Sequence, residues 1–237
     1  MSIHDKNSAD FKTRYVSLQG AIFDADGTLL NSMHVWRNLG ERYLISLGIV
    51  PEEGLSGKLW PLSYDEGCEY LVKNYDLKRS VSEIQRGISS MIEKFYAEEA
   101  ELKPGVREFL EALSEKNIPM VIATSGDRNL LRSALVRNDI DKYFAAVFTC
   151  SELGTDKRHA KIFMACADFL KLKPENIAVF EDSLFAIEAA KSSGFVTFGV
   201  EDASSINDKE RIIETADYYV DDWRKICNED SFDDCRK

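Results

Sequence analysis

The strongest constraint on this chain is a set of short, near-continuous apolar runs separated by amphipathic stretches. The runs are Gly20-Ala21-Ile22-Phe23, Met120-Val121-Ile122-Ala123, Ala145-Ala146-Val147-Phe148, Ile177-Ala178-Val179-Phe180, Phe195-Val196-Thr197-Phe198 and Tyr218-Tyr219-Val220. None alternates apolar with polar residues, which is how strands read when both faces of a sheet are covered. The stretches between the later runs read as helices, at 106–116, 127–138, 159–170, 183–193 and 209–215. In the first of these, apolar residues at 106, 109, 110 and 113 share one helical face, and Pro104 stands near its start. Strands alternating with helices predict βαβ units and a parallel sheet.

That alternation stops between the first run and the second. Residues 32–102 contain no convincing strand and read as helices at 32–47, 64–75 and 81–101, with breaks at 48–51 and 54–61. About seventy residues far exceed the dozen or so that a crossover needs. The predicted fold is therefore α/β: a Rossmann-like parallel sheet with helices on both faces, plus an inserted all-helical domain. The core takes residues 1–31 and 103–237, and the insert takes 32–102. No internal repeat or low-complexity tract is present, and the polar acidic stretch after Ile226 reads as a frayed tail.

Charge and cysteine usage narrow the function classes. Against 30 Lys+Arg stand 41 Asp+Glu, a formal net charge of -11 over 237 residues. That balance argues against a nucleic-acid or anionic-membrane partner, since both need a basic face, but leaves a local phosphate pocket open. No apolar run approaches the roughly 18 residues of a transmembrane helix. The polar N-terminal stretch lacks the apolar segment of a secretory signal. Cys68, Cys150, Cys166, Cys227 and Cys235 are scattered and odd in number, as in reduced cytosolic thiols. His4, His34 and His159 show no metal-ligand spacing. The expectation is a cytoplasmic protein that binds any metal through carboxylates.

The strongest local signal is Asp24-Ala25-Asp26-Gly27-Thr28, where the first apolar run ends. In a strand, positions i and i+2 point the same way, so both carboxylates can reach one site. Open α/β sheets place ligands at that C-terminal edge. An EF-hand loop starting at Asp24 would need Gly at position 29 and Glu at 35, where Leu29 and Val35 stand. A response-regulator receiver also uses an aspartate and Mg²⁺, but the long insert after the first strand speaks against it.

Asp24-Ala-Asp26-Gly27-Thr28 resembles motif I of the haloacid dehalogenase superfamily in its phosphatase form. Three further motifs follow in the family's order. Val121-Ile122-Ala123-Thr124 with Ser125-Gly126 resembles motif II. Lys157, with Phe163 behind it, resembles motif III. Val179-Phe180-Glu181-Asp182-Ser183, running on to Ala189-Ala190 and Gly194, resembles motif IV. The resemblance spans residues 19–222. This chain departs from the family pattern at Arg158 and Ala160, where Pro is usual, at Lys161, where an acid is usual, and at Ala186, where Gly is usual.

The resemblance implies phosphoryl transfer, which needs a nucleophile, a cation, donors for the equatorial oxygens and an acid for the leaving group. It implies that Asp24 is the nucleophile and forms an aspartyl-phosphate, and that Asp26 is the acid and base. Thr124 and the neighbouring Ser125 and Gly126 would bind the phosphate. Lys157 would offset the crowded negative charge, and it is preferred over Lys161, one helical turn later. Mg²⁺ would be held by Asp24, Asp26 through its carbonyl, Asp182 and Glu181.

The insert resembles the family's C1 cap, which closes over the site and supplies substrate contacts. Lys58 and Trp60, in the 54–66 loop, are candidate substrate contacts, for a second anionic group and for an apolar or ring-bearing group. Packing of Trp60 between cap helices is an equal alternative. His34, Trp36, Arg37 and Arg128 are further candidates to line the cleft. The reading is a Mg²⁺-dependent phosphatase acting on a small phosphorylated metabolite, with a monomer favoured. A sugar phosphomutase of the β-phosphoglucomutase type is the alternative, weakened because the loop holds Lys58 but no Arg. Asp26 argues against a dehalogenase. A non-catalytic binding module would be expected to have lost one of Asp24, Asp26, Lys157 or Asp182.

Overall fold

The computed structural model describes residues 18–228. His4, Cys235 and the stretch beyond Asn228 lie outside them. The chain divides into two compact units: residues up to Asn31 with those from Glu101 onward, and Ser32–Ala100.

The first unit is built on strands β1 (Gly20–Phe23), β2 (Met120–Thr124), β3 (Phe144–Thr149), β4 (Ile177–Glu181), β5 (Val196–Val200) and β6 (Tyr218–Val220). They form one sheet in the order β3-β2-β1-β4-β5-β6, every neighbouring pair parallel. The second unit carries helices α1 (Met33–Arg37), α2 (Leu39–Ser46), α3 (Leu55–Leu59), α4 (Tyr64–Asn74) and α5 (Val81–Lys94), the last running into a π-helical turn at Phe95–Glu99. The first unit then adds α6 (Val106–Glu115), α7 (Arg128–Arg137), α8 (Cys150–Leu153), α9 (Lys161–Leu170), α10 (Leu184–Ser192), α11 (Lys209–Thr215) and α12 (Trp223–Asn228). No helix among the described residues is long and apolar enough to cross a membrane.

Strand geometry sends neighbouring residues to opposite faces, and this sheet uses both. Ile22, Val121, Ala123 and Val179 share a buried cluster with Ile162, Phe163 and Cys166 of α9 and Ala186 and Ala190 of α10. On the alternate positions, Phe23, Phe180 and Phe198 stand in register across β1, β4 and β5. Their rings stack at 4.7 Å and 4.5 Å. Phe109 of α6 meets Phe180 edge-on at 5.4 Å, and Trp223 of α12 lies 5.0 Å from Phe109. Such aromatic pairs add about 0.5–1.5 kcal/mol each beyond their burial. Phe23 is the last residue of β1 and Phe180 the next to last of β4, so this ladder stands close to the C-terminal ends of those strands.

Gly105 shows how tightly α6 is seated. It adopts φ +89°, and a Cβ there would lie 2.6 Å from the Arg224 backbone nitrogen. Gly105→Ala would combine left-handed strain with a backbone clash, so a loss of about 2–4 kcal/mol is expected. A thermal or urea melt beside wild type checks it, and an unchanged midpoint would refute the tight seating.

The structure corrects several sequence expectations. Residues 32–47 are two helices, broken at Asn38, whose carboxamide oxygen accepts from the Ser56 hydroxyl at 2.9 Å. Residues 54–61 are not simply a break, because Leu55–Leu59 forms one helical turn. The buried Leu55 anchors it, and the Ser56 N–H donates to Glu41 at 3.0 Å. One turn is too short to reveal a helical period in sequence. The helix expected at 159–170 begins at Lys161, leaving Lys157 in the preceding turn. The expected 81–101 helix ends at Lys94 and widens into the π turn, closed by the Ala100 N–H on the Phe95 carbonyl. Leu102 already pairs with Leu30 in an antiparallel bridge, so the chain has rejoined the first unit before 103.

Candidate active site

Three strand ends bring the acidic residues together. β1 ends at Phe23, and the Asp24 N–H continues its ladder by donating to the Phe180 carbonyl at 2.9 Å. Because Phe23 pairs with Phe180, the next residues on each strand, Asp24 and Glu181, come side by side. Asp182 follows immediately. Carboxylate oxygens of Asp24, Glu181 and Asp182 lie within 4.8 Å of one another, and all three residues are buried.

Lys157 reaches this cluster from its turn. Its ammonium donates to Asp24 Oδ1 and, at 2.6 Å, to Glu181 Oε1, and only 3% of the residue is exposed. Burial disfavours its charged form, yet the Asp24 and Glu181 carboxylates outweigh that and raise its pKa. Lys161 is turned away, its ammonium on the Leu153 carbonyl at 2.5 Å.

One ammonium does not balance these carboxylates. Burial first, and then the neighbouring acids, push Asp24 up to about 7 despite Lys157, and push Asp182 well above the usual carboxylate range. Closely spaced buried carboxylates of this kind are stable as anions only with a further cation. The donors are all oxygen, few in number and hard, which fits Mg²⁺ with part of its shell left to water or substrate. Asp24, Glu181 and Asp182 are the residues that could hold it.

Asp26, in the turn after β1, and Thr124, the last residue of β2, converge. A Cβ added to Gly126 would lie 3.2 Å from Asp26 Oδ2 and 3.2 Å from Thr124 Oγ1, which places both oxygens around that glycine. The Gly126 N–H donates to Thr124 Oγ1 at 2.9 Å, so the hydroxyl proton is directed elsewhere. Ser125 is exposed, with its hydroxyl 3.7 Å from Cys150 Sγ. Gly126→Ala would crowd both oxygens, so a fall in kcat/KM of about tenfold to a hundredfold is expected with the melting midpoint retained. Unchanged kcat/KM would show that this space is not used.

Ser183, which closes the motif IV run, has a role that the sequence did not assign to it. Its N–H donates to Glu181 Oε2 at 2.9 Å and its hydroxyl to Asp182 Oδ1 at 3.5 Å, bracing both acids. The only sequence signal was a Ser directly after the acid pair at a helix start.

The remaining candidates are placed differently. Arg128 forms a two-pronged ion pair with Glu152 and donates to the Val147 carbonyl at 2.7 Å, tying α7 to α8. Within the helical unit, Lys58 pairs with Glu52 at 2.5 Å. Trp60 is 56% exposed rather than packed between helices, with the Arg37 guanidinium 5.5 Å above its ring. Trp60, Trp36 and Arg37 line a cavity of about 210 Å³ together with Leu39, Leu59 and Ile88. The Trp36 indole N–H donates to the Tyr96 hydroxyl at 3.1 Å, and His34 packs edge-on against Phe95.

Comparison with known proteins agrees with this geometry. Residues 21–200 match the family described as haloacid dehalogenase-like hydrolase. Over 198 residues the chain is 29% identical to a Thermotoga maritima protein named phosphorylated carbohydrates phosphatase, covering 83% of this chain and 91% of that one. It is 24% identical over 196 residues to hexitol phosphatase B of Escherichia coli K12, covering 81% and 88%. Among solved structures, a provisionally assigned beta-phosphoglucomutase from Thermotoga maritima superposes with a TM-score of 0.79 at 27% identity, covering 89% of this chain and 97% of that one.

Proposed function

The chain belongs to the haloacid dehalogenase-like hydrolase family and is an enzyme of Mg²⁺-dependent phosphoryl transfer, and from that premise we propose that it hydrolyses a small phosphorylated metabolite through an aspartyl-phosphate on Asp24. The observation that carries the reading is the pairing of a lysine-bound, buried Asp24 with an only partly buried Asp26 two residues on. One carboxylate is shielded from water and held by an ammonium, as a nucleophile needs. The other keeps access to solvent, as a proton carrier needs.

In the first step an Asp24 oxygen bonds to phosphorus as the ester P–O bond breaks, and Asp26 gives its proton to the leaving oxygen. In the second step water attacks phosphorus, Asp26 takes its proton, and the bond to Asp24 breaks to release phosphate. The Thr124 hydroxyl, its oxygen already accepting from the Gly126 N–H, donates to a phosphoryl oxygen, and Ser125 lies beside it. Lys157 offsets the charge gathered on Asp24 and the transferring group. Asp24, Glu181 and Asp182, with the Asp26 carbonyl, would hold Mg²⁺, which when bound would supply further charge neutralisation to the phosphate.

The T. maritima and E. coli relatives are named for phosphorylated carbohydrates and hexitols, which supports a sugar or polyol phosphate as substrate. The acidic balance of the chain speaks against a nucleic-acid or anionic-membrane partner and so leaves a small ester as the simpler substrate, and the scattered, odd-numbered cysteines support a cytoplasmic protein. Against a mutase, Lys58 is already committed to Glu52, which also accepts from the Tyr70 hydroxyl at 2.8 Å. The test is phosphate release from a panel of phosphorylated metabolites, with Mg²⁺ and with EDTA. Mg²⁺-dependent release led by a sugar or polyol phosphate is expected. No release, but interconversion of sugar phosphates once a bisphosphate is added, would overturn the phosphatase in favour of the mutase.

A further inference from the structure

The turn that carries Asp26 is held by a segment far from it in sequence. Within the turn, the Gly27 N–H donates to the Leu30 carbonyl, and the Leu29 and Leu30 N–H groups both donate to the Ala25 carbonyl. From outside, Leu102 pairs with Leu30, the Asn31 N–H donates to the Glu101 carbonyl, and the Lys103 N–H donates to the Leu29 carbonyl, each bond at 2.9 Å. The segment 101–103 is thus a splint along the turn.

Lys103 anchors that splint to the sheet. Its ammonium pairs with Asp202 at 2.8 Å and donates to the Glu201 carbonyl at 2.6 Å, in the loop that follows β5. The side chains of Lys103 and Asp202 are only 12% and 7% exposed. Asp202 also accepts from the Ser204 N–H and hydroxyl, at 2.8 Å and 2.6 Å, so its carboxylate is fixed in place. A buried pair of this kind is a poor source of net stability but a specific geometric tie.

We propose that Lys103 is a positioning residue for Asp26, setting the height of the Asp26 turn by tying it, through the buried pair with Asp202, to the end of β5. This rests on the reading of Asp26 as the proton carrier. Asp26 Oδ2 sits close to Gly126 and Thr124, so a small drift of the turn moves the proton donor away from the leaving oxygen while substrate is still bound. The loss therefore falls on kcat and spares KM.

The experiment compares wild type with Lys103→Met, Lys103→Arg and the double variant Lys103→Met/Asp202→Asn, reading kcat, KM, melting midpoint and amide exchange at Gly27, Leu29 and Leu30. Lys103→Met is expected to lower kcat by about tenfold to a hundredfold with KM within about twofold. Exchange at the three turn amides should rise about tenfold, with β2 amides unchanged. Lys103→Arg, which keeps the pair, should restore most of kcat. The double variant removes the unpaired buried carboxylate, so its midpoint should recover while kcat and turn exchange stay defective. Recovery of kcat together with the midpoint would reduce Lys103 to a structural role and overturn the proposal, as would unchanged exchange in Lys103→Met. If wild type released no phosphate from any ester, the catalytic reading would fail, and with it the role for Asp26. The exchange arm would still decide separately whether Lys103 holds the turn.

Discussion

Asp24→Asn is expected to lose phosphate release by about 10⁴-fold or more while keeping, or slightly raising, the melting midpoint. The two halves of that expectation share one cause. Asp24 is buried among Glu181 and Asp182, and its ionised form is so disfavoured that its pKa rises to about 7. An Asn side chain keeps an oxygen for the Lys157 ammonium and removes one crowded charge, so the metal-free fold has nothing to lose. The same change removes the oxygen that bonds phosphorus. A variant that melted normally yet retained activity would assign the nucleophile elsewhere. A variant that failed to fold would contradict the electrostatic account of the cluster.

Lys157→Met has the opposite signature. Lys157 is the ammonium bonded to both Asp24 and Glu181, and it is 3% exposed. Deleting one partner of a buried ionic cluster costs about 3–5 kcal/mol, because the remaining charges have no compensation. Melting in EDTA should show that loss, and added Mg²⁺ should recover part of it by binding the same carboxylates. Activity should fall by about 10³-fold, as for removal of a preorganised charge at a phosphoryl site. Lys161→Met serves as the control, since its ammonium lies on the Leu153 carbonyl. Equal losses from the two variants would mean that the cluster does not depend on Lys157.

The parts of this site that lie on strands were legible from sequence. Asp24, Thr124 and Glu181 each stand at the end of an apolar run, and a parallel sheet brings such ends to one edge. The period-2 argument for pairing Asp26 with Asp24 does not carry over, because β1 ends at Phe23 and Asp26 stands in the turn beyond it. What was not legible depends on tertiary partners. The short helix Leu55–Leu59 exists because Leu55 is buried and Ser56 meets Glu41, and neither contact leaves a periodic trace. Arg128 looked free to line the cleft until Glu152 was seen to hold it. Lys103 carries no signal in the sequence, because its partners Glu201 and Asp202 lie far along the chain from it. Strand ends announce chemistry locally, whereas the side chains that orient it are chosen by the packed fold.

The central claim, a phosphoryl group carried on Asp24, is tested most directly by trapping it. Asp26→Asn, given an activated aryl phosphate whose leaving group departs without a proton, should form the aspartyl-phosphate and open it slowly, since the group that takes a proton from water is gone. Acid quenching of that variant with Mg²⁺ and the aryl ester, followed by peptide mass spectrometry, should find a hydroxylamine-sensitive phosphoryl group on Asp24. It should be absent with EDTA and absent when Asp24→Asn is added. A phosphoryl group on any other residue, or phosphate release in a full first turnover with none on Asp24, would contradict the account.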